Sequence, residues 1–469
     1  MYVAIFMSSG ESENNQKDLP PQGEKQGVYI RTFGCQMNEH DTQKLYKILE
    51  KDYQPVDAPE KADLVLINTC SVREKPEQKL YSMLGEMREL RSVKPNLMVG
   101  VCGCVAQQEG EQILKKGRNV DFVFGTHNLS LVPSLIQLRK KGAPPQVAVN
   151  YREDWEELPL GFSDADLARN GKVSPVTAFI SISRGCNKSC TYCIVPTTRG
   201  PEVSRAISEI EREAKIAAHR GSKEIVLLGQ TVNSYGLDLS PRISFVQLLD
   251  RISKIEGIER IRFVSPHPQE IRKDFIECVS SNPKVCRHIH MPLQSGSDRI
   301  LKLMNRNYRR AKYLKIIEDL KARVPDISIT TDIIVGFPGE TEEDFQETLS
   351  IIDLVQFDLS YSYAFSSRPG TVAASMPELI TQEEKMRRLH VLQAKQEAIQ
   401  SARLEQWVGK PVEVLIDGHN RMDERCLQGR SSQNIVVNFT QPYEGLSIGS
   451  LVNAKITGRK RYTLVGEVE

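Results

Sequence analysis

The sequence predicts an α/β protein in three parts: an N-terminal doubly wound parallel α/β domain, a central partial (β/α)6 barrel and a small C-terminal β-barrel. Three observations carry this. From Val28 short β-branched runs alternate with amphipathic stretches, the pattern of a parallel sheet with helices on its faces. From Ala178 the alternation resumes and yields six strand candidates. After Trp407 it gives way to short strands divided by Asp-Gly, Pro and Gly turn signals, the spacing of a small antiparallel barrel.

The 469 residues suffice for two or three domains, and Lys+Arg 62 against Asp+Glu 60 leaves a net charge of +2. Any nucleic-acid surface must therefore be local. Residues 8–27, rich in Ser, Glu, Asn, Gln, Pro and Gly, predict a disordered tail over 1–27. The apolar start, Met1 to Met7, is too short for a signal peptide, which predicts a cytoplasmic protein whose cysteines serve as thiols or metal ligands. No run approaches the roughly 18 apolar residues of a spanning helix, so no membrane role is expected.

In the first domain, 28–145, strands are expected at Val28–Phe33, Leu64–Asn68, Leu97–Val101 and Phe122–Phe124, with helices near 39–51, 76–92, 108–116 and 130–141. Cys35, Cys70 and Cys104 then fall at the ends of successive strands. Ligands of open α/β sheets gather at the carboxyl ends of the strands, so the three thiols can meet and hold a cluster with one open iron. The alternative is three cysteines buried as small apolar residues, but all three sit in loops beside Gly, Asn or Gln. Cys102, inside a strand run, is assigned to the core. A charged Pro/Gly-bearing linker is expected over 146–174, with Glu153–Glu157 as a solvated face.

The central domain, 175–406, opens on a strand at Ala178–Ser183, and three cysteines follow it: Cys186, Cys190 and Cys193, four and three residues apart. Close-set thiols of this kind hold iron–sulfur clusters. A cube takes four ligands and no further cysteine comes before Cys278, which leaves one iron open. A structural zinc would want its four ligands closed. Ser204 is read as the N-cap of a helix to His219. Strands follow at Glu224–Leu228, Ile261–Val264, Val285–His290, Ile327–Val335 and Leu359–Phe365. In such a barrel the residues just after each strand face one cavity: Gln230 and Asn233, Ser265 with His267, Gln294 and Ser295, Asp332 with Gly336, and Ser366 with Arg368. Gln294–Ser297 reads equally as a turn with an N-cap, and His267, between prolines, as a shaped loop residue. Arg306, Arg309, Arg310 and Lys312 form either a phosphate-facing cluster or the charges of an exposed helix. Thr381–Trp407 reads as one long helix closing the barrel. In the last part, 407–469, strands are expected at Pro411–Ile416, Cys426–Gly429, Ile435–Asn438, Leu451–Thr457 and Tyr462–Val465. There Arg459, Lys460 and Arg461 beside Tyr462 suit a phosphate and a stacked base.

The Cys-x3-Cys-x2-Cys spacing, with Tyr192 before its last cysteine, resembles the radical S-adenosylmethionine superfamily. Together with Cys-Gln-Met-Asn at 35–38, Asn-Thr-Cys-Ser-Val-Arg-Glu-Lys at 68–75, Leu-Leu-Gly-Gln-Thr-Val-Asn-Ser-Tyr at 227–235 and Ser-Pro-His-Pro at 265–268, it is similar to the methylthiotransferase family of that superfamily, from Gly27 to the end. Thr231 stands where that family more often has Asn, and Cys102 is additional. The resemblance implies a methylthiotransferase domain, a radical S-adenosylmethionine barrel and a TRAM-type RNA-binding barrel. It implies two 4Fe-4S clusters, on Cys35, Cys70 and Cys104 and on Cys186, Cys190 and Cys193. S-adenosylmethionine would lie on the second, near Tyr192, Gln230, Asn233, Ser265, Gln294, Ser295 and Asp332, as radical source and methyl donor. The implied substrate is dimethylallyl adenosine beside the anticodon of a tRNA stem-loop, with RNA held by Arg459, Lys460, Arg461 and Tyr462. The implied partner is an electron donor such as flavodoxin or ferredoxin, and the chain is expected to be a monomer. Sister enzymes act on threonylcarbamoyl adenosine or on a ribosomal-protein aspartate, and a non-catalytic iron–sulfur RNA-binding protein is the alternative of another class.

Overall fold

The computed structural model describes residues 25–71, 74–152, 176–420, 423–442 and 445–469. The expected tail up to residue 24, the acidic stretch Glu153–Glu157 and most of the expected linker lie outside the described residues.

The N-terminal domain is a six-stranded sheet in the order β2-β1-β3-β4-β5-β6, with β1 Gln26–Thr32, β2 Tyr53–Pro55, β3 Leu64–Thr69, β4 Met98–Gly103, β5 Phe122–Phe124 and β6 Gln146–Ala148. Every pairing is parallel. Strand order reverses between β1 and β3, which opens a crevice at their carboxyl ends. The helix α1, Gln36–Leu49, packs Leu45 and Leu49 with Val28, Ile30, Phe122 and Phe124 on one face; α2, Glu74–Val93, packs Leu80, Leu84 and Met87 with Val65, Ile67, Val99 and Val101 on the other. The doubly wound expectation holds. Two edge strands were not legible: β2, which ends in a proline that an edge tolerates, and β6, which falls inside the expected linker. Tyr-Gln-Pro and Gln-Val-Ala lack the apolar run that marks the equally short Phe122–Phe124. The helix expected over 108–116 is two short helices, Cys104–Glu109 and Glu111–Lys116, broken at Gly110 with φ +51°.

The central domain has six parallel strands: β7 Thr177–Ser181, β10 Glu224–Leu228, β11 Arg260–Phe263, β12 His288–His290, β13 Ser328–Val335 and β14 Leu359–Ala364. They form two three-stranded sheets, β7-β10-β11 and β12-β13-β14, joined by the bridge Ile261–Val285 into an open barrel. A two-residue hairpin, β8 Ser183–Arg184 with β9 Val203–Ser204, flanks the cysteine loop. Ser204 is therefore no N-cap: its hydroxyl accepts from the Gly236 N–H at 2.9 Å, and the helix starts at Ile207. The long helix Gln382–Glu405, capped by Thr381 Oγ1 accepting from Glu384 N–H, lies against β14 through Arg403–Asp358.

The C-terminal part is a closed barrel in the order β15-β16-β17-β19-β18, with β15 Pro411–His419, β16 Leu427–Ser431, β17 Val436–Phe439, β18 Leu451–Arg459 and β19 Leu464–Val468. Val414, Ile416, Val437, Phe439, Ile456 and Leu464 fill it. It is docked on the central barrel by two buried arginines of β11. Arg260 donates to the Arg430 and Glu413 carbonyls, and Arg262 to those of Ser431 and Ser432 at 2.9 and 3.0 Å. Among the described residues no helix is long and apolar enough to cross a membrane.

Candidate active site between two cysteine sets

Strands β1, β3 and β4 are neighbours, so the turns that follow them meet at one edge of the sheet. Cys35 precedes α1, Cys70 follows β3 directly, and Cys104 opens the helix after β4. The approach is closer than side chains would allow at two glycines. A Cβ at Gly34 would lie 2.5 Å from Cys70 Cβ, and one at Gly103, whose φ is +91°, 2.4 Å from the Thr69 carbonyl oxygen. The Cys70 thiol hydrogen-bonds the Cys35 sulfur and, with the Arg199 cation and the N–H groups of Asn38 and Met37 at the helix start, brings the Cys35 pKa down to about 6 against the opposing cost of burial. Burial pushes the Cys104 thiol up, and Arg199 opposes that too.

The second set sits on the loop between β8 and β9. Gly185, at φ +74°, passes so near Pro201 that a Cβ would fall 1.9 Å from its carbonyl oxygen. The Cys186 N–H donates to the Gly200 carbonyl at 3.1 Å, and that of Cys193 to Cys190 at 3.1 Å. The far side is tied to 303–306 by Thr191 Oγ1 on the Leu303 carbonyl and Asn305 Nδ2 on Ser189. Arg306, 9 % exposed, donates from Nη1 to Cys190 Sγ at 3.3 Å. Burial pushes the Cys193 thiol up to about 12.

These sets suit clusters better than single ions. All ten cysteines are free of disulfides, and each set carries a buried arginine able to offset thiolate charge. Among the described residues no three His, Cys, Asp or Glu side chains converge as the ligands of one ion do. Thiolates of an iron–sulfur cube each take a separate iron, so they need not converge on one point.

Between the cysteines and the C-terminal barrel lies a cavity of about 750 Å³, within the range of ligand pockets. All six barrel strands contribute alternate residues to it: Thr177 and Phe179, Glu224 and Val226, Arg262 and Val264, His288 and His290, Thr330 and Asp332, Leu359 and Tyr361. Cys35, Gln36 and Glu39 close one end, and Arg430, Gln433 and Tyr462 of the C-terminal barrel line it as well. Met37 seats the Cys35 turn in the barrel mouth, packed with Val226, Leu228, Phe179 and Val264. Inside, His290 spans Thr330 Oγ1 at 3.0 Å and Asp332 Oδ2 at 3.2 Å, and its ring meets Tyr361 edge-on. Glu224 pairs with Arg262 at 3.0 Å.

Of the residues expected to hold the cofactor, Ser265 and Asp332 line this cavity. Ser265 has φ +53°, a strained turn at the end of β11. Gln230 keeps a buried, unpartnered Oε1 just beyond β10. Asn233 clips the next loop instead: its amide bonds the N–H and carbonyl of His267 at 2.8 and 3.0 Å. Gln294, at φ +72°, extends the barrel by backbone bonds to Asp332 and Ile334. Ser295 is fully buried beside Thr348, where its oxygen accepts from the Ser297 N–H, so it turns away from the cavity. Tyr192 packs edge-on against Phe337. The basic group at 306–312 is not a free cation cluster. Besides Arg306, Arg309 donates to the Asp298 carbonyl, Arg310 to those of Gly296 and Glu347, and Lys312 to that of Gln269. In the C-terminal barrel Arg459 pairs with Glu405 and Arg461 with Glu397, both on the long helix.

The sequence reading missed Arg199, Arg262, His288 and His290. Arg262 and both histidines had a signal: polar residues at every second position of strands that should be apolar throughout if buried on both faces.

A family model described as the radical SAM superfamily matches residues 180–352, and one described as uncharacterized protein family UPF0004 matches residues 27–125. The chain is 44% identical to the tRNA-2-methylthio-N(6)-dimethylallyladenosine synthase of Thermoanaerobacter pseudethanolicus, covering 100% of this chain and 99% of the relative. It is 43% identical to the enzyme of that name from Geobacter sulfurreducens, over 95% of this chain and 98% of the relative. Among solved structures it is similar to the radical S-adenosylmethionine methyltransferase TsrM of Kitasatospora setae, with TM-score 0.55 at 13% identity over 75% of this chain and 74% of that one. The cobalamin-dependent radical enzyme OxsB gives a TM-score of 0.52 over 81% of this chain and 56% of that one. At these identities the last two bear on fold alone.

Proposed function

The chain belongs to the tRNA-2-methylthio-N(6)-dimethylallyladenosine synthase family of radical S-adenosylmethionine enzymes, and from that premise we propose how its residues perform the reaction. It is an enzyme that puts a methylthio group on ring carbon 2 of dimethylallyl adenosine in tRNA. The observation that best supports our reading of its site is the cavity bounded by Cys35 on one side and by Tyr462 of the C-terminal barrel on another.

Two 4Fe-4S clusters are proposed, one on Cys186, Cys190 and Cys193 and one on Cys35, Cys70 and Cys104. When bound, the first with S-adenosylmethionine supplies the one-electron chemistry that a non-acidic adenine C–H bond requires, and the second carries the sulfur. The chain's own part is positioning. Arg306 holds the Cys190 sulfur, Thr231 Oγ1 lies 3.5 Å from that of Cys186, and the bonds of Thr191 and Asn305 keep the loop from moving off the barrel. Gln230, Ser265 and Asp332 are proposed to face S-adenosylmethionine, with Tyr192, Asn233, Gln294 and Ser295 shaping the loops behind them. Met37 plugs the mouth so that Cys35 overlooks the cavity. A base in a single-stranded loop can be splayed out and stacked on an aromatic ring, a part that suits Tyr462 and Tyr361. The dimethylallyl group would lose apolar surface to Phe179, Val226 and Leu359, worth about 0.8 kcal/mol per buried methylene. Arg459, Lys460 and Arg461 would meet phosphates of the stem. The chain is proposed to work as a monomer fed by flavodoxin or ferredoxin.

The test uses anaerobically reconstituted protein and anticodon stem-loops with and without the dimethylallyl group. Alanine at Cys186, Cys190 and Cys193 should abolish reductive cleavage of S-adenosylmethionine. Alanine at Cys35, Cys70 and Cys104 should halve the iron, leave cleavage measurable and eliminate methylthio product. An unchanged iron count would remove the second cluster. Equal turnover of both stem-loops would remove the specificity, and modification of a ribosomal-protein peptide instead would move the chain to a sister activity.

A further inference from the structure

Resting on the two-cluster reading above, we propose that Arg199 is a positioning residue supplied by the central domain to the N-terminal cysteine site, where its fixed cation sets how readily a cluster on Cys35, Cys70 and Cys104 accepts an electron. The guanidinium is out of place in sequence. It follows Cys193 by one short helix, Val195–Arg199, yet its side chain lies against α1 of the other domain. Its Nη2 donates to Asp41 Oδ2 at 3.0 Å and to Asn38 Oδ1 at 3.3 Å. The same Asn38 oxygen accepts from the Cys35 thiol at 3.5 Å. Cys104 and Cys35 both feel the charge. Only 6 % of Arg199 is exposed, so the cation acts through little solvent.

Its backbone is equally fixed. Thr126 Oγ1 donates to the carbonyl of the preceding Thr198 at 2.8 Å, and the following Gly200 accepts the Cys186 N–H. Adjacent residues thus serve opposite cysteine sets: Gly200 anchors the loop of Cys186 by its carbonyl, while Arg199 reaches by its side chain the Asn38 oxygen that Cys35 bonds. A buried arginine is costly unless paired, and one carboxylate, Asp41, balances it. The opposing charges have opposite effects on a reducible centre. Net charge, hydrogen bonds to sulfur and exposure set the potential of an iron–sulfur cluster. Reduction adds one negative charge, so a fixed cation and an N–H donor to a ligand sulfur favour the reduced form, and a fixed carboxylate disfavours it.

A mere clip between domains predicts something else. Removing either partner of the Arg199–Asp41 pair would then loosen the site in the same way. The experiment exploits that difference. In full-length protein with Cys186, Cys190 and Cys193 replaced by Ala, any remaining cluster belongs to the N-terminal site, and its midpoint is read by redox-poised electron paramagnetic resonance. Arg199→Gln should shift the midpoint to more negative potential. Poised at the parent midpoint, its reduced-to-oxidised ratio should fall about tenfold, which for one electron is 59 mV. Asp41→Asn should shift it the other way, and Arg199→Lys should lie near the parent. Should Arg199→Gln fail to fold, Asp41→Asn still decides the sign. Shifts of Asp41→Asn and Arg199→Gln in one direction, or an unmoved midpoint at parental iron content, would overturn the proposal. A background protein holding no iron would instead overturn the two-cluster reading beneath it.

Discussion

Treating the protein with a chelator and alkylating its free thiols would expose the asymmetry between the two cysteine sets. Cys35 is brought down to about 6 by its hydrogen bond from Cys70, by Arg199 and by the helix-start N–H groups, whereas burial drives Cys193 up to about 12. At pH 7 roughly nine-tenths of Cys35 is thiolate, against roughly one part in 100,000 of Cys193. The less basic thiolate is also the weaker nucleophile, with a Brønsted coefficient of about 0.5. That reduces a ratio near 100,000 to roughly 100-fold in favour of Cys35. Mass spectrometry of peptides after timed exposure to iodoacetamide gives both rates. The rate at Cys35 should rise tenfold per unit below pH 6 and level off above about pH 7, while that at Cys193 should still climb at pH 9. Equal rates at pH 7, or a Cys35 rate still rising tenfold per unit above pH 8, would refute the electrostatics assigned to the N-terminal site.

Two further outcomes follow from ion pairs elsewhere. Arg262→Met should leave Glu224 buried without its partner and the Ser431 and Ser432 carbonyls without donors, a loss of about 3–5 kcal/mol. A thermal transition lowered on the order of 5–10 °C and easier proteolytic release of the C-terminal barrel should result, and an unchanged transition would show that the docking does not depend on this arginine. Because Arg459 and Arg461 already pair with exposed carboxylates, Lys460→Gln should lower the salt slope of tRNA affinity by about 1, and Arg459→Gln by less. Equal slope changes, read by filter binding between low and moderate salt, would contradict that ranking.

Most strands and helices were legible because each carries either an unbroken apolar run, as at Leu64–Thr69, or several apolar residues at helical spacing, as at Phe245–Ser253. Where a short element lacks such a run, as in β2 (Tyr-Gln-Pro), β6 (Gln-Val-Ala) and the hairpin at Ser204, it was not legible, whereas the equally short Phe122–Phe124 was. In the site, the cysteines were legible because thiols are rare and their spacing is local. The arginines were not. Arg306 and Arg310 look like the solubilising charges of a helix until the loop of Cys190 and the helix Glu342–Val355 are folded against them. Ser295 erred in the opposite sense. It follows a strand as a barrel-mouth residue should, but the positive φ at Gln294 turns the next side chain outward into the helix layer.

The distribution of charge along the cavity explains why three domains are needed to enclose it. The six-stranded barrel is open between β7 and β14, and there α1 packs on β7 and the long helix on β14. The C-terminal barrel presents Arg430, Gln433 and Tyr462 to that interior, while Arg260 and Arg262 fix its position by bonding main-chain carbonyls, whose place does not depend on side-chain rotamers. Burial raises the pKa of Asp417 on β15, Arg430 offsets this as a cation, and the Glu224 carboxylate adds to the rise. Moving this barrel away would therefore strip Arg262 of two acceptors and leave Glu224 facing solvent. The cavity and the interdomain seat are one structure: Arg262 pairs with Glu224 inside the one and bonds the Ser431 and Ser432 carbonyls across the other.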